Sequence, residues 1–265
     1  MRYVWLALSG MLLIGTALPA QQTRPGPAAP AAPVLDPAHN RLDALLLQWE
    51  GKMKGIQSLS AEITRVTQDK TFGTQEISDG KAKYLKPNLA SMEMKRRDRP
   101  AIFEKYICTG TFLYEFSREN KEVRVHEMPP PKPGQVADDN FLAFLLGMKA
   151  EEAKRRYDLK LVKEDKNWLY IEVLPRFDAD KADFLKAQLV LSANSYLPRM
   201  LTFIESVNGN RVNWDIPTIE LGVRLDRNEF TSPALPPGWK FVRAVSSAPT
   251  GQGSGVQPRI IRPKP

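Results

Sequence analysis

Cysteine and histidine are scarce in this sequence. Its 265 residues include one cysteine, Cys108, and two histidines, His39 and His126. A single cysteine excludes an internal disulfide, and neither histidine has a second ligand at metal-binding spacing. We therefore expect no disulfide and no bound metal. Because Tyr106 and Ile107 precede it, we interpret Cys108 as a small core residue rather than a nucleophile.

Motifs for catalysis and cofactor binding are also missing. The sequence contains no glycine-rich phosphate loop and no Gly-x-Ser-x-Gly turn. Asp178, Asp180 and Asp183 lie close together, but the central glycine and final glutamate of a calcium loop are absent, which favours a solvated turn before a helix. The sequence predicts a protein that is not an enzyme and that has no catalytic residue and no cofactor.

Long apolar runs are absent except at the start of the chain. Residues 4–18 are mostly apolar, Arg2 precedes them, and Pro19 and Ala20 follow. This pattern predicts a secretory signal peptide over residues 1–20 that is cleaved after Ala20. A membrane anchor is the alternative, but the run is shorter than the ~20 residues of a spanning helix. We expect a periplasmic or otherwise exported protein.

Two segments without a core-forming pattern flank the central part of the chain. Residues 21–37 are rich in proline and alanine and predict an extended linker, and residues 244–265 predict a disordered tail. The formal net charge of +8 lies partly in that tail. The remaining positive charge suits an acidic lipid surface and is too small for a nucleic-acid-binding protein. One domain is expected over residues 38–243.

The central part predicts an α+β fold. Apolar residues at helical spacing from Leu42 to Met53 predict a helix that starts at Asp36 and Pro37 and ends at Gly55. Short alternating segments joined by turn residues predict an antiparallel sheet, since no long helix connects them. Such a sheet should curve strongly into an incomplete β-barrel, with helices over 141–146 and 150–157 as a short helical lid. Besides residues 80–116, the predicted strands cover residues 56–67, 123–125, 159–163, 168–174, 187–191, 199–205, 211–216 and 219–225.

Two apolar ribbons within residues 80–116 organise this fold. Each ribbon places large apolar residues on one parity, which is the pattern of a strand. We expect them to make one side of the sheet apolar, aromatic and rich in sulfur. If the rest of the chain covers that side fully it is a core, and if it covers it incompletely it is a cavity for an apolar ligand. The ribbon residues are Ala82, Tyr84, Met92, Met94, Phe112, Tyr114 and Phe116.

The order of several short segments resembles a known family. The segments are residues 58–62, Gly80, residues 83–89 (KYLKPNL), Gly110 with Leu113 and Tyr114, residues 141–146, 173–175, 197–200 and 209–212, and Phe230. In this order they resemble the periplasmic outer-membrane lipoprotein carriers of the LolA-like family, over residues 38–243. The resemblance is that of a divergent member. It implies a half-barrel that encloses an apolar cavity for lipoprotein acyl chains.

The resemblance also assigns roles to single residues. The family's arginine that hydrogen-bonds to the lid falls on Lys86, which can make a point-charge contact but not a bidentate one. The aromatic residues that follow it in the family fall on Ala90, Met92 and Met94, and methionine adapts to acyl chains as well as to an ordinary core. Mycobacterial lipid-binding lipoproteins and envelope-stress sensor domains are similar in fold, so the fold does not select the cargo.

The sequence thus predicts a carrier that binds lipid or lipoprotein acyl chains and transfers them across the cell envelope. The alternative is an envelope-sensing or protein-binding module of the same fold. We expect a monomer with an envelope receptor and no nucleic-acid partner, in which basic turns at residues 95–99 and 154–156 either contact the membrane surface or form a solvated face. The predicted ligand-binding residues are Tyr84, Lys86, Met92, Met94, Phe112, Tyr114, Phe116, Phe141, Leu142 and Leu145.

Overall fold

The computed structural model of the chain describes residues 34–118, 120–128, 149–182 and 184–243. Several predictions concern other residues: the signal peptide over 1–20, the linker up to residue 33, the lid helix over 141–146 and the tail over 244–265. These lie outside the described residues. The predicted site residues Phe141, Leu142 and Leu145 belong to this group.

The described elements are mostly strands. The helices are α1 (Arg41–Lys54), α2 (Ala150–Arg156) and α3 (Asp178–Lys181), and a short 3-10 helix covers Arg227–Phe230. The first six strands are β1 (Ser58–Gln68), β2 (Gln75–Leu85), β3 (Leu89–Arg96), β4 (Phe103–Thr109), β5 (Phe112–Ser117) and β6 (Glu122–Glu127). The other six are β7 (Tyr157–Glu164), β8 (Trp168–Pro175), β9 (Phe184–Ser192), β10 (Pro198–Glu205), β11 (Arg211–Leu221) and β12 (Lys240–Arg243).

Helix α1 forms where the apolar spacing predicts it, but it begins later than expected. The side chain of Asn40 accepts hydrogen bonds from the backbone N–H groups of Leu42 and Asp43, at 3.0 and 3.3 Å. Asn40 is therefore the N-cap, and the predicted start at Asp36 and Pro37 is wrong by about one turn. The buried face of the helix consists of Leu42, Leu45, Leu46, Trp49 and Met53, together with Asp43.

The strands form one open sheet of 12 strands in the order β12-β6-β5-β4-β3-β2-β1-β11-β10-β9-β8-β7. Neighbouring strands are antiparallel, except that β12 runs parallel to β6. Because β7 and β12 at the two edges do not pair with each other, the sheet is not closed. The α+β class and the open antiparallel sheet predicted from the sequence are confirmed.

Strand β11 joins two segments that the sequence predicts as separate strands. Glu62 of β1 pairs with Thr218, and Thr64 pairs with Asp215. Ile63 therefore lies opposite two residues, Ile216 and Pro217, which is a β-bulge. A bulge accommodates a proline because it leaves a backbone N–H group out of the ladder. The strand continues through Pro217 instead of ending there.

Helices α1 and α2 are joined by buried polar contacts. The Lys154 ammonium group lies 2.8 and 3.0 Å from the two carboxylate oxygens of Asp43, whose side chain is 1% exposed. A carboxylate oxygen of Glu50 accepts a hydrogen bond from the first backbone N–H of α2, at Ala150. One buried acid, Asp43, and one partly buried acid, Glu50, thus fix the position of α2.

No helix among the described residues is long and apolar enough to cross a membrane.

Candidate functional site

The register of the sheet divides the predicted site residues between its two faces. Tyr84 lies opposite Ala90, and Met92 lies opposite Tyr106, so these side chains share one face. Ile107 follows Tyr106 directly in β4, so its side chain points to the other face. Tyr114 lies opposite Ile107 and therefore shares that other face. The prediction that both apolar ribbons line one side of the sheet is wrong. Turn geometry between β3, β4 and β5 sets this register, and the alternation within a strand does not reveal it.

One face of the sheet, which we call the helix face, packs against α1. Tyr84 and Met94 are 5% and 1% exposed and belong to the core cluster that includes Leu45, Leu46 and Trp49 of α1. The Tyr84 hydroxyl donates a hydrogen bond to the carbonyl oxygen of Pro87 at 3.0 Å, and burial raises the pKa of Tyr84. Met92 is partly buried against the same cluster. Tyr84 and Met94 thus take part in the packed core beneath α1.

Lys86 contacts helix α1. Its ammonium group donates a hydrogen bond to the carbonyl oxygen of Lys54, the last residue of α1, at 3.1 Å. A cation at this position also interacts favourably with the negative end of the helix dipole. The point-charge contact expected of Lys86 therefore occurs at the C-terminus of α1. Of the two predicted lid helices, the one over 141–146 lies outside the described residues, and the one over 150–157 is α2.

The other face of the sheet carries the aromatic ribbon of β5. Tyr114 and Phe116 are buried in a second apolar cluster with Ile107 and Val123, and Phe112 packs against it while half-buried. Leu235 and Trp239 of the C-terminal segment pack on the same cluster. This face is covered by chain that follows β11, so we call it the strap face.

The covering segment, residues 227–243, is named the strap. Phe230 in its 3-10 helix is 2% exposed and anchors one end. Trp239 anchors the other end, because its ring stacks on Phe103 at a centroid distance of 6.4 Å and lies 5.9 Å from the Phe116 ring. Beyond Trp239, the parallel pairing of β12 with β6 continues the attachment. The strap is thus fixed at both ends and crosses the strap face between them.

A cavity of about 600 Å³ lies between the strap face and the middle of the strap. Its sheet side includes the apolar side chains of Phe103, Ile107 and Phe116, and its strap side includes Pro233, Ala234 and Pro236. Ligand pockets in proteins commonly measure ~300–1,000 Å³. We call this space the strap cavity. Its size and apolar floor suit a small ligand with an apolar part.

Charged side chains lie beside the apolar floor of the strap cavity. The carboxylate of Glu93 lies 2.8 Å from the ammonium group of Lys95 and 3.6 Å from that of Lys105. The hydrogen bond from Lys95 and the charge of Lys105 hold the pKa of Glu93 below its usual value. Glu229 of the strap forms an ion pair with Lys83 of β2. The cavity therefore combines an apolar floor with charged groups on β3, β4 and the strap.

The basic residues of the predicted turns form ion pairs with acidic residues of the same chain. At the end of β3, Arg96 pairs with Glu76 and Asp98, and the following Arg97 pairs with Asp79. In α2, Lys154 pairs with Asp43, Arg155 with Glu152 and Arg156 with Asp180. These pairs lower the charge that the turns offer to an anionic surface, and contact with the membrane through them stays a prediction.

Cys108 is buried, as expected of a core residue. Its thiol donates a hydrogen bond to the carbonyl oxygen of Asn88 at 3.2 Å, and burial raises the pKa of Cys108. A raised pKa lowers the fraction of reactive thiolate at neutral pH. Across the described residues, no three side chains of the His, Cys, Asp and Glu types converge as a metal site would require.

The sequence analysis missed most of the strap cavity. Phe116 is the one predicted ligand-binding residue among its lining residues. Glu93 and Lys95 lie on the parity opposite to the apolar residues Met92 and Met94, and the strap has no periodic pattern. Phe230, Leu235 and Trp239 are large apolar residues in a stretch rich in proline, and this signal could have indicated a covering segment.

No protein-family profile matches the sequence, and no curated protein matches it. Among similar solved structures, an uncharacterized conserved protein from Thermus thermophilus is 10% identical with a TM-score of 0.47, over 75% of this chain and 97% of that chain. A LolA superfamily protein from Nitrosomonas europaea is 11% identical with a TM-score of 0.36, over 71% and 97%. MucB of Pseudomonas aeruginosa, in complex with MucA, is 14% identical with a TM-score of 0.38, over 73% and 62%. The Nitrosomonas protein bears the name of the family that the sequence resembles.

Proposed function

We propose that this chain is an exported, non-enzymatic binding protein that holds the apolar part of a lipid or of a lipoprotein in the strap cavity and carries it across the cell envelope. The observation that carries the proposal is the cavity itself, about 600 Å³ in volume, with Phe103, Ile107 and Phe116 on its floor. Export is supported by the signal-peptide pattern of residues 1–20, and the absence of catalytic motifs in the sequence supports binding without chemistry.

The affinity of such a site would come from apolar burial. Each methylene group that moves from water into the cavity contributes about 0.8 kcal/mol. Micromolar binding corresponds to about 8 kcal/mol, so it needs about ten buried methylene groups before the entropy that the ligand loses is counted, which is the size of a lipid acyl chain. A carrier also has to release its ligand, and a cavity at the surface under a segment of 17 residues, 227–243, is more easily opened than one inside the core.

The experiment that tests this function fills the cavity. Ala234 lines the strap cavity with an exposed side chain, so Ala234→Trp adds a large ring at the opening without disturbing the core. We expect its affinity for the neutral fluorescent probe N-phenyl-1-naphthylamine to fall about tenfold, as if roughly two buried methylenes were lost. Native mass spectrometry of the purified protein should show less bound lipid than in the wild type.

The matched control is Ala182→Trp, which places the same ring at an exposed alanine next to α3, outside the cavity lining. It should keep the wild-type affinity. Equal probe affinity in both variants would reject the strap cavity as the binding site. Wild-type protein that neither carries lipid nor binds the probe would reject lipid binding altogether and favour the protein-binding alternative. Transfer of a fluorescent lipid between donor and acceptor vesicles tests the carrier step.

A further inference from the structure

The charges around the strap cavity are not balanced. Three lysines lie on its sheet side or at its border: Lys83, Lys95 and Lys105. They form ion pairs with two carboxylates, those of Glu93 and Glu229. Lys83 and Glu229 neutralise each other as a pair. The single carboxylate of Glu93 is left between two ammonium groups, with a local surplus of one positive charge.

Geometry places this surplus next to the apolar floor. The Lys105 ammonium group lies 5.5 Å from the centre of the Phe116 ring, which is part of that floor. Glu93 lies directly opposite Lys105 in the β3–β4 ladder, and Lys95 follows two residues later on the same face. The carboxylate that links both lysines is 39% exposed, so a solute can reach it. A cationic pair beside an apolar surface has the chemistry that binds an anionic amphiphile.

We propose that the ligand of the strap cavity is an anionic amphiphile, such as a fatty acid, whose acidic headgroup takes the place of the Glu93 carboxylate between Lys95 and Lys105 while its chain lies on the aromatic floor. This inference rests on the proposed function. In the structure, the Glu93 carboxylate lies at this headgroup position and pairs with both lysines. When the ligand binds, its headgroup takes over these contacts and the Glu93 side chain turns toward solvent.

In this arrangement Glu93 competes with the headgroup of the ligand for the two lysines. Replacing Glu93 and replacing a lysine should therefore change the affinity for an anionic ligand in opposite directions. Dodecanoate and dodecanol have the same chain and differ in headgroup charge at neutral pH. Each is measured by displacement of N-phenyl-1-naphthylamine, and the readout is the ratio of their affinities, because this ratio cancels changes in the apolar part. Replacing Glu93 removes the competitor and should raise the ratio, whereas replacing either lysine should lower it.

We expect Glu93→Gln to raise the ratio about threefold to fivefold, and Lys105→Gln and Lys95→Gln to lower it by a similar factor, the size expected of partly exposed ion pairs. Asp178→Asn and Lys181→Gln are the matched controls. They break an exposed ion pair of 3.0 Å on α3, and neither residue lines the cavity. The ratio should not change in them.

Two further arms separate the possible results. Acetate and inorganic phosphate, which have the charge but no chain, should not displace the probe; displacement by them would mean a site for free anions and would overturn the proposal. A ratio that stays constant in Glu93→Gln and both lysine variants also overturns it, although lipid binding would stand. If neither dodecanoate nor dodecanol displaces the probe from the wild type, the proposed function itself fails.

Discussion

At the scale of single residues, one glycine determines how closely β2 and β3 approach beneath α1. A methyl group at Gly80 would lie 2.9 Å from the Cα atom of Met94 and still closer to the sulfur of Met94 and to the carbonyl oxygen of Glu93. All three distances are shorter than van der Waals contact. Met94 can therefore fill the core because residue 80 has no side chain, and the same close packing fixes the strand that carries Glu93 on its other face.

We predict that Gly80→Ala destabilises the protein by about 2 kcal/mol, the usual cost of overpacking a core. The matched control is Gly51→Ala, because Gly51 lies inside α1 and has no atom within 4 Å of an added methyl group. Alanine should stabilise that helix by about 0.5–1 kcal/mol. Urea denaturation followed by circular dichroism measures both free energies of unfolding. A Gly80→Ala variant as stable as the wild type would contradict the packing described for Met94.

At the scale of elements, the strap depends on its two ends. Between Phe230 and Trp239, the one backbone hydrogen bond is a local one, from the Trp239 N–H to the Pro236 carbonyl oxygen at 3.1 Å. The ends are held by the buried Phe230 ring, by the partly buried Trp239 ring and by the four residues of β12. A segment with few backbone hydrogen bonds and a short terminal strand should open locally before the sheet unfolds.

We predict that Trp239→Ala detaches the C-terminal end of the strap while the sheet stays folded. The variant loses the ring contacts with Phe103 and Phe116. Hydrogen exchange measured by mass spectrometry should become faster in residues 231–243, and exchange in β1 and β2 should stay slow. Trp168→Ala, a half-buried tryptophan of β8, is the control and should leave exchange in the strap unchanged. Unchanged strap exchange in Trp239→Ala would show that the ring does not hold it.

The elements also show which parts of the fold could be predicted from the sequence. Alternating residues such as Met92 and Met94 correctly predicted strands, because the pleat determines which side chains share a face within one strand. The face of Tyr114 relative to Met94 depends on the turns between β3 and β5, which a periodic pattern does not contain. The strap cavity was not predicted for a related reason: its two walls come together through contacts between distant parts of the sequence, such as the packing of Trp239 on β4 and β5.

At the scale of the whole molecule, an open sheet has two edges that could pair with other chains. At one edge, β12 is four residues long and includes Lys240 and Arg243. At the other edge, Leu161 of β7 pairs with Ile171 and Lys163 pairs with Tyr170, so Val162 is an extra residue that forms a bulge. Short strands, charges and bulges protect edges from pairing. These features support the expectation of a monomer.

The bulge makes a prediction for the oligomeric state. Strand β7 covers eight residues, Tyr157–Glu164. Deleting Val162 should restore a regular ladder between β7 and β8 and leave the shortened strand as a straight edge that a second copy of the chain can pair with. We expect the deletion variant to self-associate as its concentration rises, measured by size-exclusion chromatography with light scattering. Val162→Thr is the control: its side chain, 51% exposed in the wild type, becomes more polar while the bulge remains, so this variant should stay monomeric. A deletion variant that also stays monomeric would contradict this prediction. It would mean that the charges of β7, and not its bulge, keep this edge from pairing.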